Sequence, residues 1–215
     1  MIANNSSVIS HGLYSFPKAS RIIGVESRRL KRWIHVETGI FRSRYQDIKA
    51  VSFLDLMELL FVKMFRDEDV SLQTIRKAAE KASRRFDTEY PFAVKKFDTD
   101  GRTIFATLIK EESDEEIIED LRHGQLVFRQ IIKPLFKKLE YREQDVMKYW
   151  PMFKKGRVVL DPSRNFGEPI DFETGVPTSI LNDAVALGQD MRKVASWYGV
   201  PLTAVQKAVE FEKSL

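Results

Sequence analysis

The chemistry most legible in this chain is electrostatic. Arg28, Arg29, Lys31 and Arg32 fall within five residues and follow Ser27. A guanidinium presents two parallel N–H groups that match guanine O6 and N7, so Arg28 and Arg29 are candidate readers of base edges. Lys31 and Arg32 suit phosphate oxygens, whose neutralisation dominates DNA affinity. Arg42, Arg44 and Tyr45 are placed to supply a wing beside them. The charge is uneven: residues 1–50 hold nine Lys or Arg against three Asp or Glu, and residues 111–145 hold six against ten. A basic head on a chain of net charge +4 predicts a nucleic-acid surface confined to the N-terminus.

Other chemistry has less support. Asp161, Glu168, Asp171 and Glu173 are spaced as carboxylates that hold Mg²⁺ for phosphodiester cleavage. Two of them precede proline, Asp161-Pro162 and Glu168-Pro169, which favours turn capping instead. His11, His35 and His123 are far apart, with no second histidine at i+3 or i+4, so a zinc site is not expected. There is no cysteine, no phosphate-binding glycine loop and no Gly-x-Ser-x-Gly turn. The expectation is a protein without catalytic residues, metal or cofactor.

The elements that must position the basic residues are two short helices. A helix-turn-helix needs a small residue in its first helix, a residue tolerating positive φ at the turn, and an aliphatic plug in the second helix. Ser20, Gly24 and Leu30 have that spacing, with Val25 after the glycine. Ala195, Gly199 and Val205 repeat it, with Val200 after the glycine. Only the first copy is basic; the second offers Lys207 and Lys213 against Glu210 and Glu212, so it is expected to bind protein and not DNA.

Around these, the pattern predicts a mainly α chain with small β-hairpins. Helices are expected from Ser15 to Gly24 and from Ser27 to Ile34. A Ser52-x-x-Asp55 capping box opens another at Phe53, and Ser71 starts the next. Asp98-Thr99-Asp100-Gly101 reads as a hairpin turn between strands Phe92–Phe97 and Thr103–Leu108. Asp114–Leu121 and Leu126–Leu139 read as separate helices, the second interrupted by Pro134. Arg157–Leu160 and Pro169–Phe172 read as a two-stranded element, and 178–215 as three helices. The longest apolar run, Leu54–Phe65, carries Asp55, Glu58 and Lys63, so no membrane span is expected. Without cysteine or a secretory leader, a reducing cytoplasm is the expected address.

Two stretches carry a resemblance. Tyr14–Trp33, with Phe53-Leu54-Asp55-Leu56-Met57-Glu58-Leu59 and Val70-Ser71-Leu72-Gln73-Thr74-Ile75-Arg76, resembles a MerR-type winged helix-turn-helix. Residues 157–211 resemble a small antitoxin domain through Val159-Leu160-Asp161-Pro162, Phe166-Gly167-x-Pro169-Ile170, Val176-Pro177-Thr178 and Val194-Ala195-x-x-Tyr198-Gly199-Val200. One step departs from that pattern: Glu173-Thr174-Gly175 stands where many members carry Gly-Thr-Arg. The combination resembles VapB-type antitoxins.

The resemblance implies three segments: 1–110 for DNA binding, 111–150 as an acidic helical connector, and 151–215 as an antitoxin and dimerisation domain. It also implies two partners, double-stranded operator DNA and a PIN-domain ribonuclease toxin. Arg164, Asn165 and Phe166 are the expected toxin contacts. The last helix carries an apolar row, Ala204, Ala208, Phe211 and Leu215, beside its core-facing Val205 and Val209, and this row is the expected homodimer seam. Two alternatives stay open: a MerR-like regulator responding to a small ligand, and an enzyme built on the acidic loop.

Overall fold

A computed structural model describes residues 12–34, 40 and 45–215. The expected wing residues Arg42 and Arg44, with His11 and His35, lie outside them. The described residues form two compact units, one built on 14–137 and 141–146, the other on 12–13, 138–140 and 147–215. The architecture is mainly helical with two small sheets.

The first unit opens with strand β1 (Leu13–Ser15), which pairs with β2 (Ala50–Ser52). Helix α1 (Phe16–Ile23) starts where Ser15 caps it and Pro17 occupies its first turn, and helix α2 (Ser27–Trp33) follows. Helix α3 (Phe53–Asp67) begins at the expected capping box: Ser52 N–H donates to Asp55 Oδ2 at 2.8 Å, and Asp55 N–H donates to Ser52 Oγ at 3.1 Å. Helix α4 (Leu72–Phe86) is capped by Ser71. Helix α3 is buried nearly all round, as its apolar sequence requires.

Between Phe92 and Leu108 the structure corrects the sequence. No hairpin forms there; helix α5 (Lys95–Glu111) runs straight through Asp100-Gly101. The reason is packing. A Cβ on Gly101 would lie 2.4 Å from Phe128 Cε2, so the glycine lets a neighbouring ring approach the helix and does not make a turn. Gly124 does the same for Phe105, whose Cε1 would lie 2.8 Å from its Cβ. Gly124 sits in helix α6 (Glu115–Val127), which continues past the expected break at 121–126. Beyond it come a π turn (Phe128–Ile132) and a single turn α7 (Lys133–Leu135). Pro134 has no N–H to give the preceding turn, and the wider π turn accommodates it. The predicted helix ends at Lys138, because Leu139 begins a strand.

Phenylalanines fill this core. Phe61, Phe65, Phe92, Phe97, Phe105, Phe128 and Phe136 meet in tilted or edge-on pairs with centroids 4.9–6.5 Å apart, the arrangement the ring quadrupole favours.

The second sheet has the order β3–β4–β5–β6, with β3 Leu139–Arg142, β4 Asp145–Tyr149, β5 Val158–Leu160 and β6 Pro169–Asp171. The sequence reading missed β3 and β4. Antiparallel β5 and β6 register Val158 with Asp171, Val159 with Ile170 and Leu160 with Pro169. On the outer side of β6, Ile170 bridges to Pro177 and Asp171 N–H donates to Val176 O. Helices α8 (Thr178–Ala186), α9 (Met191–Tyr198) and α10 (Leu202–Lys213) complete the unit around Leu181, Val194, Val200, Ala204, Val205 and Ala208.

Candidate nucleic-acid interface and C-terminal surfaces

The corner between α1 and α2 turns on Gly24, whose φ of 72° and ψ of 44° suit a residue without Cβ. Its N–H and that of Val25 both donate to Ser20 O, at 2.9 and 3.0 Å. Ser20 is buried, and its hydroxyl lies 2.9 Å from that of Ser27, tying the helices together. Leu30, Trp33 and Ile34 are buried as the plug. This leaves Arg28, Arg29, Lys31 and Arg32 exposed on the outer face of α2. Lys31 Nζ stands 5.9 Å from the Phe16 ring centroid. The four basic residues singled out from sequence are therefore on one exposed helix face, whereas Ser27 is half-buried in the joint. Tyr45 is half-buried, and its carbonyl accepts from the N–H groups of Ile48 and Ala50.

The corner between α9 and α10 has the same backbone. Gly199 takes φ 63° and ψ 33°, and Val200 N–H donates to Ala195 O at 2.9 Å. Val205 is buried as the plug. Around it, Lys207 pairs with Glu210.

The acidic residues of the C-terminal unit cap turns and pair with one cation. Asp161 Oδ1 accepts from the N–H and hydroxyl of Ser163. Asp171 receives a two-point hydrogen bond from Arg157, at 2.8 and 3.1 Å, and Glu173 binds the same guanidinium at 2.9 Å. Burial pushes the Asp171 carboxyl up, but Arg157 and Thr174 outweigh it and hold the group below its ordinary range. Arg157 was missed by sequence reasoning; only the cross-strand register of β5 and β6 brings it to Asp171. Among the described residues, no three His, Asp or Glu side chains are grouped to hold a metal.

The loop expected to meet a toxin is partly committed to its own chain. Phe166 is 72% exposed and Asn165 is exposed, both at positive φ, 55° and 44°. Arg164 is half-buried: Nη1 donates to Phe172 O at 2.7 Å, and the guanidinium lies 5.7 Å from the Phe172 ring centroid. Arg164 is therefore only partly open to a partner, unlike Asn165 and Phe166. A Cβ at position 175 would lie 3.0 Å from Arg164 Nη2, so the glycine there leaves room for that side chain.

The expected dimer seam needs a larger correction. Ala204, Ala208 and Phe211 are all buried within their own protomer, and only Leu215 is half-exposed. Helix α10 buries this row as well as its core-facing side, because α8 covers one side while the β5–β6 sheet supplies more cover. A different apolar surface is open. Ile180, Asp183, Ala184, Leu187, Gln189, Trp197 and Tyr198 line a shallow groove of about 430 Å³. The sequence signal for it was the Trp197-Tyr198 pair before Gly199.

In the first unit, a second cavity of about 280 Å³ is bounded by Ile40, Glu58, Ala79, Glu80, Ser83, Arg84, Glu89 and Pro91. Glu58 is 1% exposed, and its Oε1 accepts from the N–H groups of Phe92 and Ala93 at 2.8 and 2.7 Å.

The fold is shared with a solved structure. It superposes on the crystal structure of Rv2018 from Mycobacterium tuberculosis with a TM-score of 0.75, covering 91% of this chain and 96% of that one at 19% identity. In sequence, the chain is 26% identical over 167 residues to a Mycobacterium tuberculosis (strain ATCC 25618 / H37Rv) protein named "Putative antitoxin VapB45", spanning 74% of this chain and 70% of that protein. No family model matches the chain. No helix among the described residues is long and apolar enough to cross a membrane.

Proposed function

We propose that this protein is a non-enzymatic regulator, the antitoxin of a toxin–antitoxin pair, which binds a toxin encoded beside it and represses their shared promoter. The observation that carries the antitoxin role is the similarity to VapB45. The repressor role is supported by the Gly24 corner, which leaves Arg28, Arg29, Lys31 and Arg32 facing outward together. On this reading α1–α2 is a winged helix-turn-helix of the MerR kind. Helix α2 lies in the major groove, Arg28 and Arg29 read bases, and Lys31 and Arg32 neutralise phosphates.

The toxin is a PIN-domain ribonuclease held by the C-terminal unit, with Asn165 and Phe166 presented to it. The protein works as a homodimer, because paired heads on an inverted repeat gain affinity and specificity. Co-expression with the adjacent gene, followed by co-purification and binding of the complex to the upstream DNA, tests the proposal. A chain that neither retains the neighbouring product nor binds that DNA in a salt-dependent way is not such an antitoxin.

A MerR-like regulator responding to a small ligand is the second reading, and the cavity beside buried Glu58 favours it. Native mass spectrometry of protein purified from its host separates the two: a retained small molecule supports the sensor, a retained toxin the antitoxin.

A further inference from the structure

The geometry points to a second nucleic-acid surface, in the C-terminal unit, that takes a single strand: exposed rings stack on its bases while cations track its phosphates. This goes beyond the operator-and-toxin reading and does not depend on it.

The rings are Phe153 and Phe172, 49% and 40% exposed. Each is accompanied by cations. Lys138 Nζ lies 4.9 Å from the Phe153 centroid, and Lys148 Nζ and Arg164 Cζ lie 5.6 and 5.7 Å from that of Phe172. Lys154 Nζ is 5.6 Å from the ring of Trp150, which packs on Phe172 with centroids 4.9 Å apart. The patch is contiguous, because Phe153 N–H donates to Trp150 O and Lys138 Nζ donates to Pro151 O.

Charge selects an anionic occupant. Lys148 and Lys154 share one carboxylate, Glu140, at 2.7 and 3.2 Å. Lys138 and Arg164 donate only to carbonyls, those of Pro151 and Phe172. Asp171 and Glu173 are taken by Arg157. The local field is therefore positive. The rings narrow the choice. An acidic protein face would satisfy the cations but has no use for two open π-faces. A duplex keeps its bases stacked on each other. An unpaired strand offers phosphates and free bases together, the combination that basic grooves with aromatic platforms bind.

Backbone strain marks the same place. Phe153 holds φ 58° and ψ 171°, a region that glycine alone enters freely. Strain of this kind persists where the surroundings impose it, and it clusters at ligand clamps. The turn Lys154–Gly156 imposes it here: a Cβ on Gly156 would lie 2.3 Å from Met152 Cβ, so the loop closes tightly and leaves the Phe153 ring exposed.

The test is fluorescence anisotropy with labelled oligouridine and oligothymidine of about 12 nucleotides, within the span one such surface covers. The full chain is used, carrying Arg28→Ala, Arg29→Ala, Lys31→Ala and Arg32→Ala so that the exposed α2 cations do not contribute. Binding of either strand at low salt is expected, and a duplex of equal length should compete poorly. Phe153→Gly should weaken binding roughly 10-fold without lowering the melting temperature, because glycine relieves the strain. A merely structural ring would show no such split. Phe172→Leu keeps an apolar contact on Trp150 and should also weaken binding. Lys154→Ala should reduce the slope of log affinity against log salt by about 0.7. Absence of binding, a duplex that competes equally, or unchanged affinity of Phe153→Gly each overturn the inference. A Phe153→Gly chain that binds the strand normally but loses the co-expressed toxin overturns it too, and assigns the patch to a protein partner. Neither operator nor toxin enters the binding measurement, so failure of the antitoxin reading leaves its result standing.

Discussion

The ring of Phe128 occupies the space that a side chain on Gly101 would need: Cε2 lies 2.4 Å from the position of a Cβ there. In an exposed helix, Gly→Ala stabilises by about 1 kcal/mol. Here the overlap reverses the sign. Gly101→Ala should destabilise by roughly 1–3 kcal/mol, the cost of overpacking. In a double-mutant cycle with Phe128→Leu, the alanine should cost less, and denaturant unfolding measures both. Additivity of the two changes would show that the glycine is not there for the ring.

Glu58 gives a pH prediction. Burial pushes its carboxyl up to about 8, against the lowering effect of the Ala93 and Phe92 N–H groups, and Asp55 adds to the rise. Between the ordinary glutamate value and about 8, the folded chain holds a proton that the unfolded chain has released. Stability therefore falls as pH rises through that window, with a limiting slope of about 1.4 kcal/mol per unit. Glu58→Gln keeps an acceptor for both N–H groups and removes the titration. Relative to wild type, it should gain stability steadily from pH 5 to 8, as followed by urea unfolding at several pH values.

Asp171 has the opposite sign. Its folded carboxyl is held below the ordinary range, so the stability it contributes is present at neutral pH and is lost as pH falls through the folded value. Arg157→Met leaves Asp171, itself 2% exposed, without its cation. The expected loss is about 2–3 kcal/mol at neutral pH, shrinking toward acid pH. A pH-independent loss would assign the effect to packing of the arginine stem.

The proposed DNA surface on α2 makes a graded prediction. Arg28→Ala or Arg29→Ala should cost roughly 1–3 kcal/mol and relax specificity at one base pair. Lys31→Ala should weaken all sequences alike and reduce the salt dependence by about one phosphate contact. Fluorescence anisotropy at several salt concentrations, on operator and scrambled duplexes, separates these outcomes.

Within the C-terminal loop, Phe166 and Arg164 should behave differently. Phe166 is mostly exposed, so Phe166→Ala should leave melting unchanged and weaken toxin co-purification. Arg164 is tied to Phe172 O, so Arg164→Ala should lower stability by about 1 kcal/mol. Equal toxin retention by Phe166→Ala and wild type would remove that ring from the contact.

What the sequence made legible was local. The caps at Ser15, Ser52 and Ser71 and the αL glycines at 24 and 199 act within four residues, so their type and spacing suffice to place helix ends. What stayed hidden depends on partners distant in sequence. Asp100-Gly101 has the composition of a hairpin turn, and only the approach of Phe128, from 27 residues away, explains it as a helix. The row Ala204, Ala208, Phe211 looked unpartnered because nothing local reveals that α8 covers it. The basic face of α2 was legible because its residues are consecutive. The α8–α9 groove was not, because its walls come from two helices.

The outer edge of the second sheet has a consequence for how copies of this chain can meet. Strand β6 begins at Pro169, and along its free side the chain returns to set Pro177 opposite Ile170. Proline has no N–H to extend a ladder, and Asp171 N–H is already satisfied by Val176 O. That edge is thus closed to strand addition. Copies of this chain brought close together cannot grow by adding strands there, so a high local concentration does not turn this edge into a seed for fibres.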